Sequence, residues 1–351
     1  MSFYNSVVGF LYRQYFLYPS KLPASQSLAG QAGLVTGSNT GLGYHASLQL
    51  LETGLSHLII AVRNQSKGEA ARKSLFSSLA ESKPNNPPPT IEVWDLDLAS
   101  YDSITAFADR LKQSGIRLNF AILNAGVSAS THELNPSTGH ETNVQINWLS
   151  TALLTLLLLP ILDEQAANAS VDQQQPPVLT IVGSETAGWA KLDEATVSKK
   201  QGTSLLEALD SKENFTHFQR YAASKLLQQI FIELVNRRHT QTDAKTIFNT
   251  VNPGLCAGTE LVRAKGLLAV VGKVVANIIG RSVSLGARTL VHAAISAGPD
   301  SNGHYLSDNR ISPFAKIAVD PAAKELRQKV WNETVEELRG IEGLNLELSQ
   351  G

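Results

Sequence analysis

Ala32-Gly-Leu-Val-Thr36 is a short apolar stretch with strand character. It runs directly into a turn, Gly37-Ser38-Asn39-Thr40-Gly41-Leu42-Gly43, and then into Tyr44–Leu51, which has helix character. This order of strand, glycine-rich turn and helix constrains the chain more than any other feature. Glycines permit a tight turn and a close backbone approach, and the helix that follows offers unpaired N–H groups to a pyrophosphate. The spacing is TGxxxGxG rather than GxGxxG. Such a unit belongs in an α/β protein with a parallel, doubly wound sheet.

The next strand, Leu58-Ile-Ile-Ala-Val62, ends on Arg63-Asn64, and no carboxylate follows until Glu69. In dinucleotide-binding sheets this strand end reads the adenosine ribose, with an acidic residue for NAD or an arginine for a 2′-phosphate. Arg63 therefore points to NADP(H).

A second pattern lies far downstream. Tyr221-Ala-Ala-Ser-Lys225 places a phenol and an ammonium four residues apart, which on a helix is one turn along the same face. A free phenol has a pKa near 10. An adjacent ammonium favours the phenolate, so the pair is a candidate acid/base.

Taken together, these residues resemble the short-chain dehydrogenase/reductase superfamily from about residue 30 to about residue 340. Asp97-Leu98 is similar to the family's adenine-contacting position. Asn124-Ala125-Gly126 matches its NAG segment, which lines the cofactor, and Asn147 its helix asparagine. Ser184 matches its catalytic serine, and Asn252-Pro253-Gly254 the segment over the nicotinamide. The details are most similar to retinol-dehydrogenase-like members, in particular fungal reductases of secondary-metabolite biosynthesis.

The resemblance implies a single Rossmann domain with a seven-stranded, mostly parallel sheet flanked by helices. It implies an oxidoreductase that interconverts a carbonyl and an alcohol on an apolar metabolite. Asn147, Ser184, Tyr221 and Lys225 are its implied catalytic group. Gly37, Ser38, Asn39, Gly41, Leu42, Gly43, Arg63, Asp97, Leu98, Asn124, Ala125, Gly126, Tyr221, Lys225, Pro253 and Gly254 are the implied cofactor contacts. Tyr221 would exchange the proton, Lys225 would lower its pKa and hold the nicotinamide ribose, Ser184 would bond the substrate oxygen, and Asn147 would bind a water leading to Lys225.

Two departures stand out. Ser184 and Tyr221 are 37 residues apart, far more than compact members need, so an insertion lies beside the site. Trp189 and Phe215 within it either flank the cleft or anchor the loop. After Pro253-Gly254, Thr259 falls one position later than usual. Residues 255–280 occupy the place of the family's substrate lid, and the glycine-punctuated apolar run 266–280 is either that lid or an ordinary packed helix.

A net charge of −1 gives no nucleic-acid signature, and the single cysteine, Cys256, excludes an intrachain disulfide and a cysteine-rich metal site. No metal is expected. The longest apolar run, 152–162, is interrupted by Pro160 and is shorter than a bilayer span. Cytoplasmic location is the expectation. Phe3, Tyr4, Phe10, Tyr12, Tyr15, Phe16 and Tyr18 crowd the N-terminus around Arg13. This segment either packs along the domain or rests on a membrane surface.

The chain divides into an aromatic extension (1–29), a catalytic domain (30–340) and a tail (341–351). Strands are expected at 32–36, 57–62, 90–95, 118–123, 178–183, 245–251 and 303–306. Helices 140–162 and 219–238 are those that commonly form a homodimer interface in this superfamily. Alternatives to an NADP-dependent reductase are a retinol-like dehydrogenase working oxidatively at a membrane, and a non-catalytic NADPH-binding module. Loss of Ser184, Tyr221 or Lys225 would mark the latter, and all three are present.

Overall fold

The computed structural model describes residues 6–82, 87–169, 175–192, 204–242, 244–259 and 279–344. Phe3, Tyr4, most of the 255–280 lid, part of the insertion between Ser184 and Tyr221 and the end of the tail lie outside the described residues.

A central sheet is built from β1 (Ala32–Thr36), β2 (His57–Val62), β3 (Thr90–Asp95), β4 (Phe120–Leu123), β5 (Val178–Val182) and β6 (Ile247–Asn252). A two-strand pair, β7 (Cys256–Ala257) and β8 (Arg281–Ser282), stands apart. β9 (Tyr305–Ser307) and β10 (Arg310–Ser312) complete the main sheet. Its order is β10-β9-β6-β5-β4-β1-β2-β3. All pairings are parallel except β9 with β10. The order reverses between β1 and β4, and outside that switch point a doubly wound sheet opens its ligand crevice.

The expected sheet had seven strands; among the described residues it has eight. Asp308 and Asn309, with φ of 54° and 61°, make the two-residue turn that pairs Arg310 with Ser307 and Ile311 with Leu306. Two consecutive left-handed residues are what a tight hairpin requires, and Asp and Asn tolerate them best after glycine.

The helices are α1 (Val7–Phe16), α2 (Gly41–Glu52), α3 (Gln65–Ser82), α4 (Tyr101–Ser114), α5 (Thr142–Ala167), α6 (Leu205–Asp210), α7 (His217–His239), α8 (Val283–Ile295), α9 (Lys316–Val319) and α10 (Lys324–Glu337). α4 illustrates their local logic. Ser100 caps its start by accepting from Ser103 N–H, Gly115 ends it in the left-handed region, and Ile104, Phe107, Ala108 and Leu111 form the buried stripe. Two apolar clusters fill the two faces of the sheet. One gathers α4, α5, α7 and α10, and the other α2, α3 and α8.

α5 differs from its expected extent. It continues through Pro160, whose side is exposed, to Ala167. At 26 residues it is long and apolar enough to cross a membrane by length and composition. Yet 83% of its apolar window is buried inside the protein. α10 covers α7, with Trp331 stacked on Phe231 at 5.5 Å. The N-terminal segment packs on the domain: Phe10, Arg13 and Gln14 are buried.

Candidate active site

The glycine turn is shaped by three different constraints. Gly37 has φ +64°, and a Cβ there would lie 2.9 Å from Ala125 Cα. Gly43 would place a Cβ 2.6 Å from both Asn124 Nδ2 and Gly37 O. Gly41, at φ +60°, faces open space. Thr40 supplies no side-chain cap to α2, so the first N–H groups of that helix remain available to an anionic ligand. This turn fits a pyrophosphate. Asn39 and Leu42 lie in the same turn, and Leu42 packs on the apolar cluster beneath. Ser38 is fully buried and its hydroxyl donates to Val35 O at 2.8 Å, so its side chain holds the turn from within.

β4 locks onto this turn. Asn124 Nδ2 donates to Thr36 O (2.9 Å) and Gly37 O (3.2 Å), and Ala125 N–H donates to Thr36 Oγ1 (3.0 Å). At the end of β2, Arg63 is exposed, while the neighbouring Asn64 accepts from Lys67 N–H at the start of α3. Asp97 Oδ1 accepts from Ala99 N–H at 3.0 Å. Leu98 is buried, and its carbonyl accepts from Ser150 Oγ at 2.5 Å.

Asn147, Ser184, Tyr221 and Lys225 converge beyond the ends of β4 and β5. Asn147 sits within a π turn, Gln145–Leu149, in α5, a local widening often found at functional sites. Its Oδ1 accepts from Val127 N–H at 2.9 Å, and its Nδ2 donates to Val127 O (2.8 Å) and Ser224 Oγ (3.0 Å). Ser224 Oγ in turn donates to Tyr221 O at 2.8 Å. A Cβ on Gly126 would meet Asn147 Oδ1 at 3.0 Å and Lys225 Nζ at 3.7 Å. Ser224 was not singled out in the sequence, although it stands inside the Tyr-to-Lys motif.

Lys225 is buried, and its Nζ donates to Val182 O at 3.0 Å and Gln228 Oε1 at 3.3 Å. Burial pushes this amine down to about 7. Burial pushes the Tyr221 phenol up to about 12, against a hydrogen bond with Ser184 that favours ionisation. The expectation that Lys225 lowers the Tyr221 pKa is thus opposed here by desolvation. Ser184 caps the short helical turn Glu185–Trp189 and shares a 2.8 Å hydrogen bond with Thr186 Oγ1. Gln229 holds the same loop, donating to Ser184 O at 3.1 Å.

Pro253 and Gly254 leave β6 through a tight turn. Gly254 has φ +75°, its N–H donates to Asn252 Oδ1 at 3.1 Å, and a Cβ would meet Arg281 and Gln14 at 3.0 Å. Trp189 stacks on Phe218, whereas Phe215 packs away from it, against His132 and Arg220. Of the two aromatics in the insertion, Phe215 is thus tied to loop packing. Among the described residues, no group of three or more His, Cys, Asp or Glu is placed to hold a metal.

Comparison with known proteins fits this geometry. The short chain dehydrogenase family pattern matches residues 31–171. The chain is 41% identical over 343 residues to the short chain dehydrogenase virL of Hypocrea virens, covering 97% of this chain and 94% of that one. It is 36% identical over 339 residues to the short-chain dehydrogenase fogG of Aspergillus ruber, covering 95% and 92%. A solved structure of an uncharacterised protein from Mycobacterium paratuberculosis shares the fold, with a TM-score of 0.61, 21% identity and coverage of 91% and 97%. The chain belongs to the short-chain dehydrogenase family. It is an oxidoreductase that acts on CH–OH or C=O groups with a nicotinamide cofactor.

Proposed function

We propose that the protein is an NADP-dependent carbonyl reductase acting on an apolar metabolite in a secondary-metabolite pathway, with Tyr221 as proton donor and acceptor. The observation that carries this reading is the packing of α7, with Tyr221 and the buried Lys225, against the turn that Ser184 begins: Lys225 Nζ donates to Val182 O at 3.0 Å and Gln229 Nε2 to Ser184 O at 3.1 Å. A phenol and a hydroxyl at one point can both reach a single substrate oxygen. Arg63, exposed at the end of β2 with no neighbouring carboxylate before Glu69, supports the phosphorylated cofactor.

A reduced nicotinamide, when bound, would supply a hydride to the carbonyl carbon. As the C=O π bond breaks, Tyr221 gives its proton to the oxygen, and Ser184 donates a hydrogen bond where negative charge develops. Lys225, once protonated, stabilises the tyrosinate left behind and draws its proton from solvent. Asn147 acts through Val127 and Ser224 to hold this ground in place. Gly41, Gly43 and the uncapped end of α2 would seat the pyrophosphate, and Asn124, Ala125, Gly126, Pro253 and Gly254 would line the dinucleotide.

The test is cofactor binding by fluorescence, NADPH against NADH, on the wild type and on Arg63→Ala. Preferential NADPH binding that collapses in Arg63→Ala supports the reading, and equal binding of both cofactors removes the basis for NADP.

One observation favours a second reading, oxidation of an alcohol dissolved in a membrane. The outer face of α1 and its exit leave Val8 (68%), Phe16 (70%) and Tyr18 (68%) exposed. Co-sedimentation with phosphatidylcholine vesicles, compared between wild type and Phe16→Ser, tests it.

A further inference from the structure

α1 has no part in the cofactor turn or in the Tyr221–Lys225 pair, yet it grips both loops that flank them. Arg13 Nη2 donates to Glu185 Oε2 at 2.7 Å, and Glu185 immediately follows Ser184. The neighbouring Gln14 clasps the backbone of Leu255, which immediately follows Gly254. Its Nε2 donates to Leu255 O at 2.5 Å, and its Oε1 accepts from Leu255 N–H at 3.3 Å. Arg281 closes the arrangement. It donates to the carbonyls of Arg13 (3.1 Å) and Leu17 (3.4 Å) and pairs with Asp308 at 2.8 Å. The side chains of Arg13, Glu185, Arg281 and Asp308 are 6%, 14%, 2% and 3% exposed.

Charges this deeply buried cost desolvation, and apolar side chains would strap a helix down at least as well. What a charged network adds is a fixed geometry, and here that geometry ends one residue from Ser184 and one from Gly254. One turn back along α1, Phe10 meets Trp189 edge-on with centroids 5.5 Å apart. Trp189 closes the helical turn that Ser184 begins. Trp189 stacks on Phe218 at 6.3 Å and 27°. Phe218 is 47% exposed and precedes Tyr221 by three residues on α7, so both side chains stand on one side of the helix. An aromatic shelf thus leads from α1 to the phenol, with its last ring accessible.

We infer that α1 is a wall of the substrate site, which holds Ser184 in position through Arg13 and Glu185 and backs an aromatic shelf, Trp189–Phe218, that receives a flat, ring-bearing apolar carbonyl compound. This deepens the reductase reading and rests on it for the reaction, though not for the binding. Arg13 is a positioning residue. Phe218 and Trp189 are specificity residues, since offset-stacked aromatic pairs favour ring substrates beyond the area they bury.

The test compares tetralone with decanone, two ketones of matched carbon number, one ringed and one linear. Binding is followed by calorimetry and turnover with NADPH, using wild type, Phe218→Ala, Phe10→Leu, Arg13→Gln and the pair Arg13→Gln/Glu185→Gln. Tetralone should bind the wild type more tightly than decanone. Phe218→Ala and Phe10→Leu should each weaken tetralone about tenfold and leave decanone within about twofold. Arg13→Gln should lower kcat for both ketones at unchanged ketone and NADPH affinity. The double variant, which keeps a neutral hydrogen bond, should recover most of that loss. Phe218 is exposed and Phe10→Leu is conservative, so both variants report on binding in a folded protein. A tetralone preference that survives Phe218→Ala, or a wild type with no preference, overturns the shelf. An Arg13→Gln variant with wild-type kcat overturns the positioning role. Ring-selective binding that depends on Phe218, with no turnover in the wild type, upholds the shelf and sinks the reductase reading instead.

Discussion

Asn147 exchanges two hydrogen bonds with the backbone of Val127, accepting from its N–H at 2.9 Å and donating to its C=O at 2.8 Å. The carboxamide is fully buried, whereas Val127 is half-buried. Through Ser224 the same side chain reaches the carbonyl of Tyr221. One residue therefore joins the loop after β4 to the first turns of α7.

Asn147→Ala should cost about 2–3 kcal/mol of unfolding free energy, because it removes three hydrogen bonds at once, to Val127 N–H, Val127 O and Ser224 Oγ. Urea denaturation measures this. Asn147→Asp keeps the acceptor but sets a carboxylate oxygen against Val127 O in a buried site, and should cost at least as much as the alanine variant.

The glycines of the turn separate fold from binding. Gly41→Ala meets open space but must hold φ +60°, a strain of about 1–2 kcal/mol. Its methyl would stand where the pyrophosphate is expected, so NADPH affinity should drop while the fold persists. Gly43→Ala collides with Asn124 and Gly37 O and should lose stability as well as affinity. Thermal melts and fluorescence titration on both variants check the contrast.

These glycines show how far the sequence can be read. β1, the turn and α2 were legible because one local pattern dictates all three, and the NAG and Tyr-to-Lys motifs because their residues are contiguous. The eighth strand was not, because three residues, Arg310–Ser312, are too few for an alternating pattern to show. The docking of α1 was illegible for a different reason. Arg13 meets Glu185 across 172 positions of chain and Gln14 meets Leu255 across 241, and no local periodicity encodes such partners. The Lys225 and Tyr221 shifts were likewise hidden, since burial sets them and spacing does not.

His140 ties three elements together, with Nδ1 2.8 Å from Asp210 and Nε2 3.2 Å from Glu337, itself bonded to Tyr101. Burial alone would lower its pKa, but the two carboxylates outweigh burial and lift it to about 9. A folded pKa above the unfolded 6.5 means the stabilisation is complete below pH 6.5 and is lost as pH rises through 9. The stability gap between wild type and His140→Gln should be about 2–3 kcal/mol near pH 6. It should narrow above pH 9, as denaturation at a series of pH values will show.

Lys225 has the opposite sign. Burial depresses it from 10.5 to about 7, so the folded state favours the neutral amine and stability rises with pH between 7 and 10.5. Lys225→Met should melt higher than wild type at pH 6, converge with it above pH 10, and lose turnover at every pH. Melting curves across that range, paired with NADPH oxidation assays, test both halves.

In the proposed reaction, Tyr221 transfers the proton during NADPH-dependent carbonyl reduction. The most direct test of this transfer is the loss of NADPH absorbance with tetralone as substrate, wild type against Tyr221→Phe, with NADPH affinity measured alongside. Turnover that falls ~100-fold or more in Tyr221→Phe, at unchanged NADPH affinity, is the predicted result. A Tyr221→Phe variant that still turns over at the wild-type rate would contradict it.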